Sequence, residues 1–190
     1  YSSVHDMSKW VRVQLAGGEI PASIGGETGE RLFTEQAQRE MWTMLTPIPV
    51  RKPKFEAFEP ITPNYRGYGE GWNLSDYRGE KMVSHTGGWP GMVSRLTLVP
   101  ELGLGVVVLT NQEVGAAFNA ITLHVLDAYL EAPATDWVAA YSAALAKGSD
   151  RAEEDWKKHL AARDAKSRPS LPLRGYAATY RDRWYGDVVV

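Results

Sequence analysis

The sequence contains no cysteine, which excludes disulfide bridges and any metal centre built on thiolates. No apolar run approaches the ~20 residues that a membrane-crossing helix needs, and the first residues show no basic-then-apolar leader pattern. An excess of one charge is also lacking: 21 Lys and Arg face 23 Asp and Glu, for a formal net charge of -2. So balanced a chain gives no footing for nucleic acid or an anionic membrane, and neither is expected as a partner. Several reactive motifs are missing. No serine is followed by lysine three positions on, and Gly-x-Ser-x-Gly does not occur. His-Glu-x-x-His, a Gly-Lys-Ser/Thr phosphate loop and a Gly-x-Gly-x-x-Gly turn are absent as well. Each would have announced a self-contained site for serine, zinc or nucleotide chemistry. What remains is 190 residues, 44% hydrophobic and 23% charged. That suits one globular domain, or one with a small appendage, long enough to bury a core.

The informative stretch is 68–112. It runs Tyr68-Gly-Glu-Gly-Trp72, then Val83-Ser-His-Thr-Gly-Gly-Trp-Pro-Gly91, then 92–100 and 104–111. Runs rich in β-branched and aromatic residues are separated by turn-forming clusters at 73–79, 87–91 and 100–103, which predicts successive antiparallel hairpins. In 92–99 the polar Ser94, Arg95 and Thr97 alternate with apolar neighbours, as on a half-exposed strand. The wholly apolar 106–109 reads as a strand buried on both faces. Between them His85-Thr86-Gly87-Gly88 offers an imidazole, a hydroxyl and two backbone amides with no Cβ to shield them. Any reactive site belongs there.

Helical signals flank this stretch. Ser3 with Asp6 reads as a capping box, and Met7, Trp10, Val11 and Leu15 share a face that ends at Gly17-Gly18. Tyr1, Ser2 and Ser3 are read as capping and packing residues. A Gly-rich connector covers 21–29. Thr34 caps a second helix expected to reach Met44, with Ala37, Met41 and either Met44 or Leu45 inward. With five prolines and no period, 46–63 reads as an extended loop. Beyond a break at Gly115, 118–130 predicts an amphipathic helix with Ile121, Val125, Leu126 and Tyr129 as its apolar stripe and His124 packed beside it. Helices at 137–147 and 151–165 are expected to be separated by Gly148. The second carries Glu153–Lys157 and Glu154–Lys158 pairs and reads as a solvated face, with His159 exposed. A linker at 166–172 precedes an alternating hairpin at 176–190 that turns at 183–187.

The blocks Tyr-Gly-x-Gly-Trp, His-Thr-Gly-Gly-x-Pro-Gly and Val-Pro-Glu-x-x-Leu-Gly-Val-Val-Val-Leu-Thr-Asn occur in that order. Together they resemble the C-terminal half of the penicillin-recognising serine hydrolases: class C β-lactamases, DD-peptidases, D-aminopeptidases and related esterases. Residues 1–10 resemble the helix start that precedes this region there, and 176–190 resemble the first strands of an appended lipocalin-like domain. The resemblance implies an α+β fold, an antiparallel β-sheet backed by helices (part of a β-lactamase/transpeptidase-like fold). It implies a catalytic-domain portion at 1–132, a helical connector at 133–168 and the start of a lipocalin-like β domain at 169–190. The function implied is hydrolysis of a peptide, amide or ester bond through an acyl-enzyme. No cofactor or metal is called for. The partners expected are a small-molecule or peptide substrate, and either a missing N-terminal half or a second copy of the chain. By resemblance alone the compartment is periplasmic or secreted.

In that family the nucleophile sits in Ser-x-x-Lys, upstream of these blocks, and the catalytic tyrosine in a separate motif, so neither role falls on Tyr1. The sequence is accordingly expected to be a fragment without catalytic competence alone. His85-Thr86-Gly87 stands where the family has Lys-Thr-Gly. The resemblance makes the Gly88 amide an oxyanion-hole donor, with His85 as its catalytic neighbour. Thr86, Gly87 and Trp89 become substrate-binding residues, Thr86 toward a carboxylate or carbonyl. An imidazole in place of the ammonium supplies less fixed positive charge, which argues for a peptidase or esterase over a dedicated β-lactamase. His85 as a strand-placing residue remains the alternative, and Tyr68 and Trp72 are read as packing residues. Two other readings stay open: a non-catalytic peptide- or peptidoglycan-binding module, and a structural or oligomerisation piece.

Overall fold

The Ser3 side chain starts the first helix by accepting the Asp6 amide at 3.1 Å and donating to the Asp6 carboxylate at 2.9 Å. Helix α1 (Val4–Leu15) ends where Gly17 and Gly18 take positive φ and Gly18 N–H bonds back to the Val13 carbonyl at 2.9 Å, the left-handed stop that glycine permits. The computed structural model describes residues 2–190, so the capping reading of Tyr1 lies outside the described residues. Strands β1 (Thr46–Pro47), β2 (Arg66–Tyr68), β3 (Asn73–Tyr77), β4 (Glu80–Trp89), β5 (Met92–Val99) and β6 (Leu104–Leu109) then form one antiparallel sheet in chain order. The α+β expectation holds.

Alternation on the strands sends neighbouring residues to opposite faces. On one face Leu74, Val83, Leu96 and Leu98 pack with Val11 and Trp72, and Met7, Trp10 and Leu15 close over them. Gly105 permits this approach of α1, since a Cβ there would meet Val11 Cγ1 at 2.2 Å. On the other face Val99 and Leu104 pack against Leu123 and Leu126 of helix α3 (Gly115–Tyr129) and Trp137, which opens helix α4 (Trp137–Ala161). Leu98 and Leu126 are fully buried, and each such side chain contributes about 1.5–3 kcal/mol.

Asp127 ties α3 and the start of α4 to the β3–β4 hairpin. Its Oδ1 accepts from Tyr77 Oη at 2.5 Å and Arg78 Nε at 2.9 Å, and its Oδ2 from Trp137 Nε1 at 2.8 Å. Burial, and then the Asp127 carboxylate, push the Tyr77 phenol far above its ordinary pKa, so it stays a donor. Among the described residues two side chains are left with buried polar groups that have no hydrogen-bond partner, the Trp42 indole N–H and the amide of Gln14, and Gln14 is fully buried. Leaving such a group unpaired costs about 1–3 kcal/mol. Gln14→Met, close in volume and apolar, is therefore expected to raise the denaturant midpoint at unchanged m-value, and a lowered midpoint would contradict it.

Several boundaries differ from the sequence reading. The second helix, α2 (Glu35–Met41), stops at Met41, short of Met44. The stretch read as a turn at 73–79 is strand β3 up to Tyr77, with the turn compressed into Arg78 and Gly79 at φ 52° and 95°. That is the two-residue geometry whose twist suits a hairpin. Likewise β4 runs on to Trp89, leaving Pro90 and Gly91 as the loop. The extended loop holds the short β1 and a 3-10 turn at Glu56–Ile61. Leu109 at the end of β6 is 38% exposed, so that strand is not buried throughout. In α3 the buried face is Phe118, Ala120, Leu123 and Leu126, whereas Ile121 and Tyr129 are exposed and so is His124. Gly148 does not interrupt α4; a glycine in a helix interior costs only about 1 kcal/mol, which the flanking helix formers outweigh.

The chain divides into two compact units at Lys147–Gly148. The second contains the hairpin of β7 (Thr179–Asp182) and β8 (Gly186–Val189), joined by Arg183–Tyr185 inside the expected turn. Asp182 Oδ1 accepts the Trp184 and Tyr185 amides at 2.8 and 3.0 Å, which fixes that turn.

Candidate active site

Strand β4 carries every site residue expected from the sequence, and its pairing decides which backbone groups are free. Toward β5 it is paired from Val83 opposite Leu98 to Trp89 opposite Met92. Toward β3 the ladder ends at Asn73 opposite Ser84. Among the described residues the strand from His85 to Trp89 therefore has one partner and one open edge. In an antiparallel ladder successive residues aim their N–H and C=O to opposite sides. Val93, opposite Gly88, gives its carbonyl to the Thr110 amide at 3.0 Å and its own N–H to Thr110 Oγ1 at 3.4 Å, on the side away from β4. Val93 and Gly88 thus face away from one another. The peptide groups of Gly88 and Thr86 point to the open edge, and those of His85 and Gly87 are used by β5. Gly88 and Thr86 are also exposed.

Side chains divide in the same alternation. His85 lies on the α1 face, in a cleft of about 270 Å³ that Thr86 and Gly87 also line, with Met7, Trp10 and Trp72 as apolar walls. The imidazole is held from behind: His85 Nε2 lies 3.1 Å from the Tyr68 hydroxyl, the last residue of β2. That bond orients the ring. The packing role expected for Trp72 holds, since it is buried among Val11, Leu74 and Val83. Tyr68 does more than pack. Its signal in the sequence was only a hydroxyl-bearing aromatic at the mouth of the Gly69–Gly71 turn.

The expected site residues are brought together in part. His85, Thr86 and Gly87 share the cleft, and Gly88 follows on the free edge. Trp89 does not join them. Its side chain is 67% exposed at the hairpin tip, outside both clefts that flank the strand. A second cleft, of about 410 Å³, opens on the α3 face, where Thr86 meets Ser84, Arg95 and Asn119. Arg95 stands directly opposite Thr86 in the register. Among the described residues no group of three or more His, Asp or Glu is placed to hold a metal ion, and no helix is long and apolar enough to cross a membrane.

An edge strand that presents free amides beside an imidazole and a hydroxyl can hold a carbonyl group and stabilise negative charge on its oxygen. Over 195 aligned residues the chain is 28% identical to unguisins hydrolase ungD of Aspergillus violaceofuscus, covering 97% of this chain and 33% of that protein. It is 26% identical over 132 residues to unguisins hydrolase ungD' of Aspergillus campestris, covering 68% of this chain and 21% of that protein. The chain thus spans a third and a fifth of the lengths of these relatives. Residues 1–130, which contain the six-stranded sheet and its open edge, match the beta-lactamase family, and to that family the chain belongs.

Proposed function

We propose that this chain forms one wall of a hydrolase site of the beta-lactamase superfamily, at which a serine attacks the carbonyl carbon of an amide or ester. The observation that carries the proposal is the open edge of β4, where the Gly88 N–H is left free one residue beyond the strand's His85-Thr86-Gly87 segment. As the serine oxygen adds, the carbonyl π electrons move to oxygen, and the resulting oxyanion accepts a hydrogen bond from Gly88. The serine proton passes to a base and then to the departing amine or alcohol. Water releases the acyl group in a second addition of the same kind. His85, oriented by Tyr68, and Thr86 position the acyl portion. The nucleophile belongs to sequence outside residues 1–190, since none of the serines here has lysine three positions on. The curated relatives are named as hydrolases, which supports the reaction class.

The test is covalent labelling. A protein carrying this chain is treated with a fluorophosphonate probe, digested, and assayed on p-nitrophenyl acetate and on an acyl-peptide p-nitroanilide. The expected result is one labelled serine, in a Ser-x-x-Lys motif outside these residues, and turnover that the label abolishes. If the protein takes no label and turns nothing over, the proposal gives way to a ligand-binding module of the same fold.

A further inference from the structure

Past the cleft that holds His85, the same face of the sheet carries an apolar patch that the chemistry above does not use. Alternation along β4 puts His85, Gly87 and Trp89 on one face. Their register partners on β5 are Leu96, Ser94 and Met92, and Ser94 stands in turn opposite Leu109 of β6. Gly87, Ser94 and Leu109 belong to the lining of the His85 cleft. Trp89, Met92 and Leu109 are exposed large apolar side chains, and Trp89 and Met92 are a directly opposed pair. On this face no Lys, Arg, Asp or Glu occurs from His85 to Trp89 or from Met92 to Leu96.

Two small residues make the patch concave. Gly87 has no side chain, and Ser94 opposite has a short one that lies close: a Cβ on Gly87 would meet Ser94 Oγ at 2.7 Å. A dip therefore lies between the His85 ring on one side and the Trp89 ring on the other. Four residues of strand separate these two positions by about 13 Å. A third ring packed between two others, at centroid spacings of about 4.5–7 Å, needs roughly 9–14 Å. The hairpin tip that carries Trp89 is also anchored. Gly91 N–H donates to Glu113 Oε2 at 3.3 Å, and Thr110 Oγ1 donates to the Val93 carbonyl at 2.8 Å.

We propose that the dip over Gly87 and Ser94 receives an uncharged aromatic ring of the substrate's acyl group, and that Trp89, with Met92 and Leu109, selects it. The patch is continuous with the reacting edge: Gly88, whose N–H is free there, is the residue between Gly87 and Trp89. An acyl group whose carbonyl oxygen meets that N–H, and which His85 positions, has its hydrocarbon end on the face where the dip opens. A short arm then carries a ring over Gly87, between the imidazole and the indole. With no ionised side chain on this face to pair, a charged substituent would lose hydration for nothing, whereas a ring removes apolar surface from water. Only the link to turnover rests on the hydrolase reading.

Two esters that differ only by a terminal phenyl ring, p-nitrophenyl propanoate and p-nitrophenyl 3-phenylpropanoate, test the assignment in a protein carrying this chain. The phenyl ester is expected to show kcat/KM roughly 10- to 100-fold higher, the range for burying one aromatic side chain. Trp89→Ala should lower that ratio about tenfold, and Trp89→Phe should keep most of it. A general loss of activity cancels in the ratio. Ser94→Leu, which fills the dip from the opposite strand, should abolish the preference with Trp89 intact. Binding is read separately by NMR: 3-phenylpropanamide, and not propanamide, is expected to move the indole N–H resonance that vanishes in Trp89→Phe. Equal rates on the two esters, a ratio unchanged in Trp89→Ala, or an unmoved indole resonance overturns the proposal. An unchanged ratio with a lowered denaturant midpoint in Trp89→Ala overturns it in favour of a packing surface for further polypeptide. Turnover at a labelled serine without a phenyl preference removes the subsite alone. A moved indole resonance without any labelled serine removes the hydrolase reading alone.

Discussion

Replacing Gly88 with proline is expected to lower kcat of a hydrolase that carries this chain about 100- to 1000-fold, the loss measured when one oxyanion donor is deleted. Proline removes the N–H and also holds φ at about −65°, so the fold of the variant is checked alongside its rate. The β4–β5 ladder does not use the N–H, because Gly88 pairs with Val93 at a non-bonded position, and proline is tolerated at such edge positions. Gly88→Ala is the matched control. A Cβ at this residue meets nothing within 4 Å, so alanine keeps the donor and should keep most of the rate. Steady-state kinetics on both variants, with circular dichroism to confirm folding, separates lost donor from lost strand. If folded Gly88→Pro turns over as fast as Gly88→Ala, the amide is not the donor.

Asp127→Ala is expected to destabilise the protein by about 3–5 kcal/mol, the cost of breaking a buried ion pair and stranding its partners. Three donors lose their acceptor at once: the Tyr77 hydroxyl, Arg78 Nε and Trp137 Nε1. Tyr77 and Trp137 are both 2% exposed, so water does not readily replace the carboxylate. Urea unfolding measures the loss. Because the donors act as a unit, adding Tyr77→Phe to Asp127→Ala should cost less than the sum of the single changes. Strict additivity would show that the Tyr77–Asp127 bond contributes nothing.

How much of this was legible in the sequence depended on whether the governing contact was local. Ser3 with Asp6, and Gly17 with Gly18, fix the ends of α1 through groups a few residues apart, and both ends were readable. The hairpin core was readable as well, from β-branched runs and turn residues. The turns are narrower than the residue types suggest, because Asn73, Ser75 and Asp76 are polar and yet belong to β3. Ser75 and Asp76 are buried there, by pairing to β4 and by the 64–65 loop. Gly148 misled for a related reason: one weak residue does not end a helix whose neighbours on both sides favour it. That His85 and Gly88 share one strand beside a turn was legible from the motif. Tyr68 was not, because its contact spans 17 residues and depends on where β2 ends. Arg95 was within reach. Counting outward from the Pro90–Gly91 loop puts it opposite Thr86, once the loop is known to hold two residues.

The open side of β4 has a further consequence, for solubility. A strand with one unsatisfied flank is a template on which any extended chain, including another copy, can lay down a strand, the route to aggregation that edge strands invite. Here the exposed groups fall at Thr86 and Gly88, on either side of Gly87 and just before the Pro90 turn. Two consecutive glycines lend little strand propensity to an added chain, and the proline two residues on stops the ladder from lengthening. The glycines that leave the amide accessible also keep the edge short and weakly adhesive. Substitutions of Gly87 and Gly88 with valine or isoleucine would trade that protection for stickiness.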